Sequence, residues 1–154
     1  MLSVGDAAPD FDLVDQHGRS ATLAQMLGRR IMLVFLPLAF SGICANELQQ
    51  LADDRPLFVT AGTEVIVISV DSMFTLRAWG DEADTPYRLL SDFWPHGRVA
   101  ERYQAFDSAT GRATRTSVAI DENGTVRAVF SAAPDRARTT AMYARALAMF
   151  DERA

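Results

Sequence analysis

Two apolar runs limit what this chain can become. "IMLVFLP" (Ile31–Pro37) and "EVIVISV" (Glu64–Val70) are short, continuous and rich in strand-forming residues. Such runs read as strands buried inside a sheet, the first of them central and covered on both faces. From about Ser41 to Thr60, Ile43, Leu48, Leu51, Leu57 and Phe58 recur at roughly helical spacing, with Pro56 placed to end or bend that helix.

The rest of the chain fits the same scheme. "FDLVD" predicts a short strand and "QHGR" the turn after it; "MFTLRAWGDEA" predicts a helix and "YRLLSD" a third strand end. "FWPHG" reads as a turn leading to a short helix through Tyr103. "RTSVAID-ENG-TVRAVF" is a hairpin signal around Asn123 and Gly124. The stretch Arg138–Phe150 is amphipathic, with Met142, Leu147 and Phe150 on one side. Strands alternating with helices, plus one hairpin, predict an α/β fold with a mixed central sheet. No repeat or low-complexity tract interrupts the chain, so residues 1–154 are expected to form one domain, long enough to bury a real core.

Charge and composition narrow the function. A net charge of -5 argues against nonspecific attraction to nucleic acid or to an anionic membrane. All 15 basic residues are arginine, which excludes a lysine nucleophile or Schiff base. The opening "MLSVGDAAPDF" has no basic segment followed by an apolar stretch, so no signal peptide is expected. No apolar run approaches the roughly 18 residues that span a bilayer. The single cysteine, Cys44, cannot form an internal disulfide, and a cytoplasmic location is the natural expectation.

Cys44 lies where the first apolar run gives way to a helix, in "FLPLAFSGICANEL". The first backbone N–H groups of a helix have no internal partner and can bond a thiolate, whose charge the helix dipole favours. That alone is too little. Taking a thiol from a pKa of about 8.5 to about 6 requires roughly 3.4 kcal/mol, against about 0.3–1, at most ~2 kcal/mol from a helix terminus. A neighbouring cation must supply the remainder, and here it has to be arginine. Ionisation also gains little more than about tenfold in rate, so a fast catalyst needs fixed donors for its transition state, each worth about 10²–10³-fold. Ser41, three positions before Cys44, can cap the helix and face the sulfur. Pro37 can shield the sulfur from water and leaves no orphan N–H at the strand end.

Pro37-x-x-x-Ser41-x-x-Cys44 resembles the active-site loop of the peroxiredoxins, Pro-x-x-x-[Thr/Ser]-x-x-Cys. The opening "VGDAAPDFDLVDQHG" and the segment "LLSDFWPHG" extend the likeness across nearly the whole chain, toward the one-cysteine alkyl hydroperoxide reductase E type. The resemblance implies a thioredoxin-like fold and a thiol peroxidase that reduces hydrogen peroxide and organic hydroperoxides, with peroxynitrite a further candidate. It implies a catalytic set of Cys44 as nucleophile, Arg115 of "TRTSVAID" to favour the thiolate and orient the peroxide, and Ser41 and Pro37 around them. Glu47 is expected to pair with an arginine near the site, and Arg138 matches a second arginine of the family. Serine stands where many members have threonine, which keeps the hydroxyl and loses the methyl that fixes its rotamer. No metal, flavin or haem is implied. With no second cysteine, the sulfenic acid must be reduced by an external thiol, either a low-molecular-weight thiol with a glutaredoxin-like protein or a thioredoxin. A homodimer or higher homo-oligomer is implied, with "FWPHG" as a contact.

The remaining candidates read more plainly. His17 and His96 are too far apart in sequence for a metal site, His17 in a solvated turn and His96 ordering the "FWPHG" loop. Asp71, Asp81, Asp84 and Asp92 are scattered, with no pairing for acid–base work or calcium. Phe93 and Trp94 read as packing or subunit-contact residues. "VGDAAPD" lacks the spacing of a phosphate loop, and no Cys-x-x-Cys is present. Two rival classes use the same chain differently: a peroxide-sensing redox adaptor, and a thioredoxin-fold interaction or holdase protein in which the cysteine is incidental.

Overall fold

A computed structural model describes residues 2–152. The chain runs through β1 (Asp12–Asp15), β2 (Ser20–Thr22), α1 (Leu23–Met26), β3 (Arg30–Phe35), α2 (Gly42–Asp53), α3 (Arg55–Thr60), β4 (Thr63–Ser69) and α4 (Met73–Ala83). It continues through β5 (Arg88–Ser91), α5 (Arg98–Arg102), β6 (Phe106–Asp107), β7 (Arg112–Ala113), β8 (Arg115–Ile120), β9 (Val126–Ala132) and α6 (Thr140–Ala148), ending in a 3₁₀ turn, Met149–Asp151.

The two apolar runs are neighbours in the sheet. β3 pairs parallel with β4 and antiparallel with β8, and β4 pairs parallel with β5. The full order is β2-β1-β5-β4-β3-β8-β9, a mixed seven-stranded sheet, with β6 and β7 forming a separate small hairpin. Every residue of β3 from Ile31 to Phe35 is sealed from solvent, and alternate side chains enter opposite layers, as the two-residue period of a strand requires. Ile31, Leu33 and Phe35 join Phe11, Ile66, Val99 and Tyr103 on one face; Met32 and Val34 join Leu48, Leu51, Trp79, Tyr143 and Leu147 on the other. Helices therefore pack on both faces.

Several boundaries differ from the sequence expectation. The predicted helix Ser41–Thr60 is two helices, broken at Asp54; Pro56 falls in the first turn of the second, where its missing N–H costs nothing. The C-terminal amphipathic stretch becomes helical only at Thr140. There Tyr143, Ala146 and Leu147 line the buried face, and Met142 is only half-buried. The hairpin turn is drawn tight by Asp121, whose Oδ1 accepts from the N–H groups of Asn123 (2.9 Å) and Thr125 (3.0 Å). The pieces not anticipated, β2, α1 and the β6–β7 hairpin, are two to four residues long, too short for any period to register. His17 is exposed, and the His96 ring lies 2.6 Å from the Gly111 carbonyl, tying the "FWPHG" loop to that hairpin. Trp94, 81% exposed, and Phe93, 53% exposed, lie largely at the surface and are not core residues.

Gly97 decides where the β6–β7 hairpin sits. It enters α5 at φ +70°, and a Cβ there would lie 2.2 Å from the Phe106 ring at the start of β6. Gly97→Ala combines a left-handed L-residue with overpacking. It is expected to cost about 2–4 kcal/mol, lowering Tm by about 5–15 °C in a thermal melt.

Candidate active site

Cys44 is the third residue of α2, directly beyond the loop that leaves β3. The first intrahelical bond runs from Ala45 N to Ser41 O (2.8 Å), so the N–H groups of Gly42, Ile43 and Cys44 all precede it and have no acceptor within the helix. The side chain is nevertheless 0% exposed and packs in the same apolar layer as Met32, Val34 and Leu48. Cys44 is thus part of the core and part of a helix terminus at once.

The sheet brings Arg115 to it across 71 positions. β8 runs antiparallel to β3 with Val34 opposite Ser117, so the first residue of β8 lies beside the end of β3, where the loop to α2 begins. Arg115 Nη1 lies 3.4 Å from Cys44 Sγ and 2.5 Å from Glu47 Oε1, with only 5% of the residue exposed. Its Nε donates to the Pro134 carbonyl at 3.0 Å, which fixes the plane of the guanidinium.

Glu47 stands one turn beyond Cys44, on the same face of α2. Its Oε2 accepts from Arg138 Nε (2.8 Å) and from the Arg138 backbone N–H (2.9 Å), and its Oε1 accepts from Arg138 Nη2 (3.2 Å) as well as from Arg115. Arg138 also donates to Ser117 Oγ (3.0 Å) and to the Phe35 carbonyl (2.8 Å). All three charged side chains are buried. Burial opposes the charge on Glu47, but the hydrogen bonds and charge of Arg138, and then Arg115, outweigh it and hold the carboxyl below its ordinary range. Two guanidiniums face one carboxylate, so the cluster is one anion short, and a thiolate at Cys44 would supply it.

Ser41 occupies the N-cap position without capping. Its hydroxyl donates backward to the Leu38 carbonyl (2.9 Å), within the tight turn of Leu38–Ser41, and no helix N–H bonds it. The sequence expectation of a capping hydroxyl is therefore corrected. With its proton committed to Leu38, the Ser41 oxygen is left as an acceptor.

Pro37, Ser41 and Arg115 line a cavity of about 530 Å³, with Gly42, Ile43 and Pro134 among the other walls. Cys44 is not part of its lining; it lies behind Arg115 and the first turn of α2. Glu47 and Arg138 form the layer behind that. The cavity wall also includes Asp107, Thr110, Arg112 and Ala113 of the β6–β7 hairpin, which sequence reasoning missed, as it missed Ser117. A hairpin with two residues per strand carries no readable period, and Ser117 is one small polar residue in an apolar strand. Among the described residues no group of three or more His, Cys, Asp or Glu is placed to hold a metal ion, and no helix is long and apolar enough to cross a membrane.

The AhpC/TSA family pattern matches residues 4–129. Alkyl hydroperoxide reductase E of Mycobacterium tuberculosis is 40% identical over 149 residues, covering 96% of this chain and 97% of that protein. Among solved structures, peroxidoxin BcpB from Mycobacterium tuberculosis superposes with a TM-score of 0.84 at 27% identity, over 98% of this chain and 97% of its own. AhpC of Enterococcus faecalis superposes with a TM-score of 0.87 at 24% identity, over 98% and 93%, a likeness of fold.

The Glu47 cluster gives a pH-dependent expectation. A carboxyl held low in the folded state contributes stability that is complete above its unfolded value, about 4.3, and is lost as pH falls through the depressed folded value. Glu47→Gln should cost about 3–5 kcal/mol at pH 7, since it leaves two buried guanidiniums without their carboxylate. In urea unfolding, the gap between wild type and variant should hold down to about pH 4.3 and narrow below it.

Proposed function

The chain belongs to the AhpC/TSA family of peroxiredoxins, and on that premise we propose how this thiol-dependent peroxidase works. Its one cysteine fits a single-cysteine mechanism. The observation that carries the reading is Arg115, whose guanidinium touches Cys44 Sγ and Glu47 on one side and borders the cavity on the other.

A hydroperoxide entering past Pro37 meets Arg115 and the Ser41 oxygen. Arg115 aligns the two peroxide oxygens, and Ser41 accepts a hydrogen bond from the O–H. The Cys44 thiolate attacks the terminal oxygen, forming the S–O bond as the O–O bond breaks. The leaving oxygen takes a proton and departs as water or an alcohol, and Cys44 becomes a sulfenic acid. The N–H groups of the first α2 turn and Arg115 supply fixed positive charge where negative charge develops. Glu47 and Arg138 act through Arg115 by holding its position. One external thiol then condenses with the sulfenic acid, releasing water and leaving a mixed disulfide. A second thiol reduces that to the free cysteine. The reductant we propose is a low-molecular-weight thiol with a glutaredoxin-like protein, or a thioredoxin. A cytoplasmic setting suits a lone thiol that must be returned to the reduced state.

Self-association is proposed on the edge where the parallel strands β3, β4 and β5 all end. An exposed aromatic follows each of them: Phe40 at 48% in the loop before α2, Phe74 at 75% in the first turn of α4, and Phe93 and Trp94 at 53% and 81% in the segment before α5. Aromatics exposed together are what an interface covers. Trp94→Asp is expected to shift a dimer to monomer in sedimentation velocity while leaving the far-UV circular dichroism unchanged.

The direct test is rapid mixing of reduced protein with hydrogen peroxide and an alkyl hydroperoxide, read by intact mass with a sulfenic-acid trap. Stoichiometric trapping at Cys44, much faster than a free thiol, is the expected result, and a rate no better than a free thiol would refute the reading. Arg115→Ala should slow the reaction by about 10²–10³-fold, and an unchanged rate would remove Arg115 from its role.

A further inference from the structure

The loop from Leu36 to Ser41 leads from β3 to the first turn of α2; Leu36 is buried, Ala39 packs against the core and the Phe40 ring lies 6.3 Å from that of Trp79, but few side chains hydrogen-bond it. Leu36 N–H extends the sheet by one bond to the Ile68 carbonyl (2.9 Å). Phe40 is in the left-handed region at φ +65°, a conformation that an L-residue keeps only when its surroundings impose it. Among the described residues, the side-chain hydrogen bonds to residues 37–41 are two. One is internal, Ser41 Oγ to Leu38 O; the other comes from Asp71, whose Oδ2 accepts the Ala39 N–H at 2.8 Å.

Asp71 is itself fixed from three directions. Ser69 Oγ donates to the same Oδ2 (2.7 Å), Asp71 N–H donates back to Ser69 Oγ (3.3 Å), and Ser91 Oγ donates to the Asp71 carbonyl (2.6 Å). Ser69 and Ser91 are the last residues of β4 and β5 and are both buried, so Asp71 is anchored to two strand ends at once. A carboxylate held this firmly fixes the amide that precedes the strained Phe40, and through it the entry of α2.

We propose that Asp71 is a positioning residue of the peroxidase site. It transmits the geometry of the strand ends to the Pro37–Ser41 loop, so that the first turn of α2 meets Arg115 with Cys44 in line for attack. This rests on the peroxidase reading above. Asp71 touches neither substrate nor sulfur; its effect is alignment, to which reactions with aligned donors respond and simple alkylation does not.

The test compares two reactions of Cys44 in wild type, Asp71→Ala and Asp71→Asn: oxidation by hydrogen peroxide in a stopped-flow instrument, and alkylation by iodoacetamide. Asp71→Ala is expected to slow oxidation by about 10–100-fold, with alkylation unchanged or faster. Asp71→Asn keeps an oxygen acceptor for Ala39 N–H and should recover most of the loss. A parallel fall in both reactions, or no fall in oxidation, overturns the proposal. If Asp71→Ala does not fold, Ser69→Ala, which removes the bond that aims Oδ2, is expected to show the same split, and its absence counts against the proposal equally. The wild-type rate separates the two layers. A wild type no faster than a free thiol refutes the peroxidase reading itself, whereas a fast wild type matched by Asp71→Ala refutes only the role of Asp71.

Discussion

Glu47 receives two guanidiniums and a backbone N–H in a place with almost no water, and those bonds tie together parts of the chain that are otherwise remote. It belongs to α2; Arg115 belongs to β8; Arg138 belongs to the segment before α6 and reaches on to the Phe35 carbonyl at the end of β3. Buried charges of this kind are expensive to form and more expensive to leave half-formed, because each desolvated group depends on its partner. The pairing therefore acts less as added stability than as a constraint on arrangement. Glu47 holds Arg115 where its Nη1 lies 3.4 Å from the sulfur.

The sheet supplies the rest of the geometry. Parallel strands β3, β4 and β5 deliver three loops to one edge, and the antiparallel strand β8 starts at that same edge with Arg115. A helix N-terminus and an arginine thus converge by topology before any side-chain detail is chosen. The two layers of core packing on either face keep the strand ends rigid, which is what a reaction sensitive to donor alignment requires.

Much of this was legible in the residues. The apolar runs marked the central strands, the hairpin was signalled by Asn123 and Gly124, and Pro37, Ser41 and Cys44 stood close enough to be read as one loop. Arg115 and Arg138 were reachable only through family likeness, since nothing local distinguishes a strand-end arginine from a solvated one. Three features stayed hidden for physical reasons. The direction of the Ser41 hydroxyl depends on the turn at Leu38, not on its distance from Cys44. The β6–β7 hairpin is shorter than any pattern that could announce it. Asp71 looked like one of several scattered acids because its partner, the amide of Ala39, is a backbone group that every residue but proline carries.

The full burial of Cys44 has a consequence for what can reach it. A hydroperoxide that arrives at Arg115 in the cavity wall is one guanidinium away from the sulfur and needs to bring only two oxygen atoms. A thiol presented on the surface of another protein brings a wall of its own, and no such wall fits against an atom with no exposed area. A small molecule and a protein surface thus meet unequal steric demands at the same atom. Access to the sulfur is therefore a matter of bulk before it is a matter of potential, because the nearest open space is the cavity on the far side of Arg115.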